Sequence, residues 1–489
     1  VSTSDKSYLG KAILFVVLSI VAFLIFKNIL PPRLFPEHTL VTENIIIDSM
    51  ALEAQNDTVV IEEIPVVVPD TTQIKPKEKE NKPADNNEED SAREQLPEPV
   101  KEIDTSLSPS LSAEGYHNLQ RFYAKLYQLE QSKEGSVRIG YFGDSMNDGD
   151  YIVQDVRSEF QSVYGGEGVG FVSVSSLSAA SRGSVSHQFS KNWFSQSFVR
   201  VKKPIRAFGI DGQVFFAKDP ADTYWVRYKA QAQPHSKTLN NPTLFYGSSR
   251  NGNASVAVRA DKDSVSVKSL NPSSILNTLA LTSRSARSLQ VDFLKADSIP
   301  IYGFNFDDGK GVHIDNFSMR GNSGLPLSIL SPALMNAFDR ELGYDLIILQ
   351  YGANVLGHGS LNYNWYEKAM TTVVNNLHKC FPNADILIIS TADKASKIDG
   401  EMQTDPAVTA LANAQKNYAR KTGSGYINLY EVMGGKGSML TWVNNKMANT
   451  DYTHFNIAGS RKIAKLIYNE INKGYAKYKT SNGEGVAED

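Results

Sequence analysis

Two short, unbroken apolar runs limit the fold of this chain more than anything else in its 489 residues: those inside Asp345-Leu-Ile-Ile-Leu-Gln350 and Asp385-Ile-Leu-Ile-Ile-Ser390. Each is too short for a helix and lacks the alternation of a strand with one wet face, so each reads as a strand buried on both sides. The spacing of apolar residues around them is helical, over 328 to 341, 363 to 379, about 405 to 421 and 457 to 474. The same alternation starts earlier in the chain. Residues 112 to 133 place Leu119, Phe122, Leu126 and Leu129 on one helical face, Val137 to Phe142 reads as a strand ending in Gly143-Asp-Ser, and 150 to 163 reads as a second helix. Val312 to Phe317 and Tyr426-Ile-Asn-Leu429 supply further strands. Buried strands alternating with helices predict an α/β domain whose parallel sheet is covered on both faces.

The pattern changes between 187 and 310. Short alternating runs such as Ser197-Phe-Val-Arg-Val201, Tyr224-Trp-Val-Arg-Tyr228, Ser255-Val-Ala-Val-Arg259 and Leu289-Gln-Val-Asp-Phe293 are separated by Gly, Pro, Asn and Ser. This predicts an all-β sandwich inserted into the α/β domain, which is thereby split into 112–186 and 311–478, with a disordered tail over 479–489.

The first 111 residues have a different character. Ala12 to Phe26 is apolar apart from Ser19, and Tyr8, Leu9, Ile29 and Leu30 extend the segment to about 23 residues, enough to span a bilayer. A cleaved signal peptide is the alternative, but no small-x-small cleavage site follows Phe26. Residues 1–30 are therefore expected to be an uncleaved transmembrane anchor with the body of the chain exported. Residues 31–111 read as a tether, because Pro69 to Ile103 is Pro, Lys, Glu, Asp and Asn with almost nothing to bury. Two islands within it, Asn44-Ile-Ile-Ile47 and Val59-Val-Ile61 with Val66-Val-Val68, are candidates for short strands or a partner contact.

A net charge of -3 offers no basic field for nucleic acid. The single cysteine, Cys380, excludes an internal disulfide and any Cys-based metal site. His187 and His313 lack ligand-like spacing, so no metal is expected. The glycine cluster 165 to 170 has no following Lys-Ser/Thr, so no phosphate loop or nucleotide cofactor is expected either.

The chemistry-bearing residues lie at strand ends. Ser145, in Gly143-Asp-Ser, follows a strand and precedes a helix, where α/β folds place their sites. Gly-Asp-Ser is also an ordinary turn. Asp451-Tyr-Thr-His454 precedes the last helix; a serine needs a base, and an imidazole needs a partner to fix its tautomer. A plain helix cap at Thr453 or Asn456 is the alternative there. Ester cleavage also needs donors aimed at a developing oxyanion. Gly321, in Asn316-Phe-Ser-Met-Arg-Gly321, has a backbone N–H to offer, and Asn354, in Tyr351-Gly-Ala-Asn354, a side-chain amide.

Taken in order, Gly143-Asp-Ser-Met146, Gly321, Gly352-Ala-Asn354 and Asp451-Tyr-Thr-His454 resemble the block motifs of the SGNH (GDSL-like) hydrolases over roughly 135 to 475. The resemblance implies a flavodoxin-like parallel sheet, Ser145 as nucleophile, His454 as base and Asp451 as its orienting carboxylate. It implies an oxyanion hole from the N–H groups of Ser145 and Gly321 plus the Asn354 amide. Val355 departs from the family, which often has an acidic residue there, and Gly324 and the 165–170 cluster compete with Gly321. The stretches Gly165-Gly-Glu-Gly-Val-Gly-Phe171, Gly311-Val-His-Ile-Asp-Asn316 and Met433-Gly-Gly-Lys-Gly-Ser-Met439 are similar to those of peptidoglycan O-acetylesterases and their acetyltransferase relatives, which carry a jelly-roll insertion resembling a carbohydrate-binding module.

That likeness implies an acetylated polysaccharide as substrate. No cofactor is expected, the N-terminal anchor implies an extracytoplasmic location (periplasm or cell surface), and a membrane acetyltransferase engaging the tether is a candidate partner. Two rivals stay open: a glycan O-acetyltransferase using the same triad, and a non-catalytic glycan-binding envelope protein. His358, Trp365 and Trp442 lie near the site loops and are secondary candidates for lining it.

Overall fold

The computed structural model describes residues 48–51, 53–54, 112–357 and 360–483. The expected anchor over 1–30 lies outside them, and no helix among the described residues is long and apolar enough to cross a membrane.

The central sheet runs, edge to edge, Ala113–Glu114, Gly425–Ile427, Asp385–Ile389, Leu346–Gln350, Ser136–Gly143 and Gly311–Asn316. All neighbours pair in parallel except the short first strand, which is antiparallel. The unbroken apolar runs have a direct explanation here. Ile347 and Leu349 enter one core with Leu334, Phe338, Val373 and Leu411, while Leu346 and Ile348 enter the opposite core with Phe122, Val156, Phe160 and Ile467. Helices Pro332–Leu342, Asn364–Cys380 and Ala407–Lys421 cover the first face; Gln120–Ser132, Val153–Tyr164 and Ile457–Gly483 cover the second.

The inserted region is two antiparallel sheets enclosing a third core. One has the strand order Ser266–Ser269, Ser255–Ala260, Ser288–Leu294, Tyr224–Ala230, Val185–Phe189. The other has Leu276–Ala280, Thr243–Gly247, Ile301–Asp307, Gln213–Phe216, Phe194–Ser197, with Gly168–Val172 also pairing to Ile301–Asp307. The insertion therefore begins at Gly168 and not at 187. Gly168-Val-Gly-Phe-Val172 has no alternation to announce it, because every residue in it is buried. The expected strand Ser197–Val201 is also displaced. The strand is Phe194–Ser197, and the chain turns at Phe198, whose ring is buried against Phe208.

The sandwich does not hang free. Phe171, Phe245 and Tyr302 from its sheets pack edge-on or stacked against Phe317 and Phe338 of the α/β domain, with centroids 5.6 to 6.3 Å apart. Arg138, buried on the Ser136–Gly143 strand, reaches across to Asp307 (2.7 Å) and Asn305 (2.7 Å) while holding Asp315 of its neighbouring strand (2.7 Å). Burial pushes the Asp307 carboxyl up, but the Arg138 guanidinium beside it wins and holds it well below the usual range.

At the other end, the last helix continues to Gly483, past the expected stop near 474 and into the expected tail. Tyr475 and Tyr478 extend its apolar face onto Tyr123, so its last turns have something to bury.

Candidate active site

Four loops meet at the carboxyl edge of the central sheet. The first leaves the Ser136–Gly143 strand and carries Ser145. Gly143 leaves room at the exit for the Asn147 amide and the Ser318 hydroxyl, which would lie 2.6 and 2.8 Å from a Cβ there and be displaced by it. The loop is fixed from beneath by Asp150, fully buried and paired with Arg157 at 3.0 Å, and by Asn316, whose amide donates to the Asn147 carbonyl at 2.8 Å.

The second loop follows the Gly311–Asn316 strand and is laid beside the first by the Met319 N–H donating to the Gly143 carbonyl at 3.0 Å. It carries Gly321, at φ 75°, two residues beyond Met319. The third loop follows the Leu346–Gln350 strand and brings Asn354, which is 2 % exposed. Its amide donates to the Asn322 carbonyl at 3.1 Å, tying the third loop to the second. Among the described residues, neither the Ser145 nor the Gly321 backbone N–H has a hydrogen-bond partner.

The fourth loop carries the acid–base pair. His454 Nε2 lies 3.0 Å from Ser145 Oγ, and His454 Nδ1 lies 2.8 Å from Asp451 Oδ2. Asp451 Oδ1 accepts the backbone N–H groups of Thr453 and His454, both at 3.0 Å. Tyr452, held at φ 54°, makes the turn tight enough for one carboxylate to reach both. Burial pushes the Asp451 carboxyl up, but the hydrogen bonds from the His454 ring and from these N–H groups outweigh it and hold the carboxyl below its ordinary value. The helix cap weighed as the alternative exists as well: Asn456 Oδ1 accepts from Gly459 N at 3.1 Å, leaving His454 to the serine.

The competing glycines are otherwise engaged. The Gly324 N–H donates to Asn322 Oδ1 at 2.9 Å, and Gly165 accepts from Val312 N at the amino end of its strand, the edge opposite Ser145. Val355 is fully buried in the apolar core. Trp365 and Trp442 are 8 % and 3 % exposed, which removes them as open stacking platforms. Trp442 instead packs on Phe455, next to His454. Cys380 is fully buried, which pushes its thiol up to about 12. His358 lies outside the described residues. Among the described residues no cluster of His, Cys, Asp or Glu is suited to a metal.

Sequence reasoning passed over Asp144. It is 1 % exposed, accepts the Met146 N–H at 3.0 Å, and faces the Gly352 and Ala353 N–H groups and His454. Burial raises its carboxyl to about 6 in spite of them. The only signal for it was its place between Gly143 and Ser145, and a turn accounts for an aspartate there equally well.

No protein-family model matches the sequence. No curated protein matches it. Among solved structures, a peptidoglycan O-acetylesterase superposes with a TM-score of 0.62 at 21% identity, over 75% of this chain and 99% of that one. An acetyl xylan esterase matches at 19% identity over 32% of this chain and 81% of its own, with a TM-score of 0.26. A family two carbohydrate esterase from Cellvibrio japonicus matches at 10% identity over 60% and 98%, with a TM-score of 0.24. The last two superpose too loosely to add to the comparison. The first shows the fold: this chain shares that protein's fold, an α/β domain with a parallel sheet carrying an inserted β-sandwich.

Proposed function

We propose that the chain is a serine esterase that removes O-acetyl groups from a cell-envelope glycan, with peptidoglycan the favoured substrate. One observation carries this reading: the hydrogen-bonded series Asp451–His454–Ser145 at the carboxyl edge of a parallel sheet. Ser145 Oγ attacks the acetyl carbonyl as its proton passes to His454 Nε2, and Asp451 steadies the imidazolium that forms. The oxyanion is held by the backbone N–H groups of Ser145 and Gly321 and the Asn354 amide. The bond from the carbonyl carbon to the sugar oxygen then breaks, and that oxygen takes the proton back from His454. Water, deprotonated by His454, attacks the acetyl-Ser145 ester and releases acetate.

The substrate class is supported by the likeness to a peptidoglycan O-acetylesterase, which covers the α/β domain and the inserted sandwich together. The extracytoplasmic, membrane-anchored location is supported by the composition of Ala12 to Phe26 alone.

The test is acetate release by the full chain from p-nitrophenyl acetate, O-acetylated peptidoglycan and acetylated xylan. Ser145→Ala and His454→Ala are each expected to lower kcat about a thousandfold or more. A folded parent that frees no acetate from any of the three overturns the esterase reading. Acetate appearing on a glycan acceptor instead of in solution replaces it with a transferase.

A further inference from the structure

Far upstream of the α/β domain, residues 48–51 and 53–54 are part of the folded body. Asp48 is 3 % exposed, and its Oδ1 accepts the N–H groups of Met50 (3.1 Å) and Ala51 (3.0 Å), starting a helical turn. Ala51 is fully buried in the core that also contains Leu325 and Tyr351, with Met50 and Ala54 packed against it. Glu53 pairs with Lys202 of the sandwich. The other carboxylate oxygen, Asp48 Oδ2, accepts the backbone N–H of Ser323 at 2.6 Å, across 275 residues of sequence.

That contact falls on one particular peptide unit. The N–H of Ser323 belongs to the same peptide plane as the carbonyl of Asn322, and that carbonyl receives the Asn354 amide at 3.1 Å. Asp48 therefore grips one end of the plane whose other end orients Asn354. A primary amide has two hydrogens; with one donated to Asn322, the second is left for an oxyanion. Turning the plane over would bring a carbonyl oxygen against a buried carboxylate and withdraw the acceptor from Asn354, so the carboxylate strongly favours the observed orientation. The other contacts of these two residues are Asn322 Nδ2 to the Tyr351 hydroxyl (3.3 Å), the Gly324 N–H to Asn322 Oδ1 (2.9 Å), the Tyr366 hydroxyl to the Ser323 carbonyl (2.7 Å) and the Leu325 N–H to Ser323 Oγ (3.2 Å), and none of them touches that N–H.

We propose that the turn over residues 48–51 is a positioning element of the active site, in which Asp48 fixes the 322–323 peptide and through it the Asn354 amide. The inference rests on the esterase reading for the role of Asn354, and its geometry does not depend on it. An N-terminal segment that looks like a spacer thus supplies part of the support of the oxyanion hole.

The test compares the full-length parent with Asp48→Ala and Asp48→Asn, measuring kcat and KM on p-nitrophenyl acetate and hydrogen exchange of the backbone. Asp48→Ala is expected to lower kcat about ten- to a hundredfold with KM within about twofold, because a misplaced oxyanion donor acts on the transition state. Asp48→Asn keeps an acceptor oxygen for Ser323 and is expected to recover most of the loss. Exchange at Ser323 and Gly324 is expected to quicken about tenfold in Asp48→Ala while the Leu346–Gln350 strand stays protected. An Asp48→Ala variant with parental kcat and parental exchange at Ser323 overturns the proposal. So does a loss of protection throughout the sheet, which would make Asp48 a general stabiliser. A parent that is inactive overturns the esterase reading instead, and the exchange measurement then decides alone whether Asp48 holds the loop.

Discussion

Asp144 and Asp451 are two carboxyls near one imidazole, and their surroundings drive them in opposite directions. Asp451 accepts the His454 ring and two N–H groups, which hold its carboxyl below the ordinary value. Asp144 lies deeper, and burial raises it to about 6. Its folded state thus holds a proton more tightly than the unfolded chain does. The stability this gives is complete below about pH 4 and is lost as pH rises through about 6. Asp144→Asn has no proton to lose, so it is expected to gain on the parent between pH 4 and 7, by up to about 3 kcal/mol in denaturant titrations. At pH 7 the same change removes negative charge facing the imidazolium and is expected to lower kcat about tenfold. Ser145, Asn354, Asp451 and His454 could be singled out in the sequence because each stands at the end of a legible strand or before a legible helix. Asp144 could not, because its importance lies in burial. Asp48 was hidden for a different reason: its partner is a backbone N–H, and no side-chain pattern records that.

At the scale of elements, strands with two dry faces were the most legible part of the chain, since Leu346 to Leu349 must be apolar throughout to serve two cores. The joint between sheet and sandwich was not legible. Gly168–Val172 carries neither alternation nor a β-branched run long enough to mark it, and Arg138 sits in a strand whose other residues predict only burial. Yet Arg138 holds that joint, bonded to Asp315, Asp307 and Asn305 with almost no access to water. Arg138→Met leaves two buried carboxylates without their cation and is expected to cost about 3 to 5 kcal/mol in chemical denaturation. Adding Asp307→Asn and Asp315→Asn is expected to restore part of that loss, because the charges then go together.

Taken whole, the α/β domain and the sandwich share a core: Phe171, Phe245 and Tyr302 on one side, Phe317 and Phe338 on the other. Calorimetry of the full chain is therefore expected to show these two parts melting in one transition, and Phe338→Ala to lower it without splitting it. Two separate transitions would show that the shared aromatic contacts are too weak to couple them. The topology also has a consequence in time. Ser145 meets His454 only across 309 residues. At the usual pace of synthesis, His454 follows Ser145 off the ribosome by about 15 to 60 seconds. Until then Ser145 of a nascent chain lacks its imidazole partner. On the proposed mechanism, catalysis cannot begin before residue 454 has been made and folded into place.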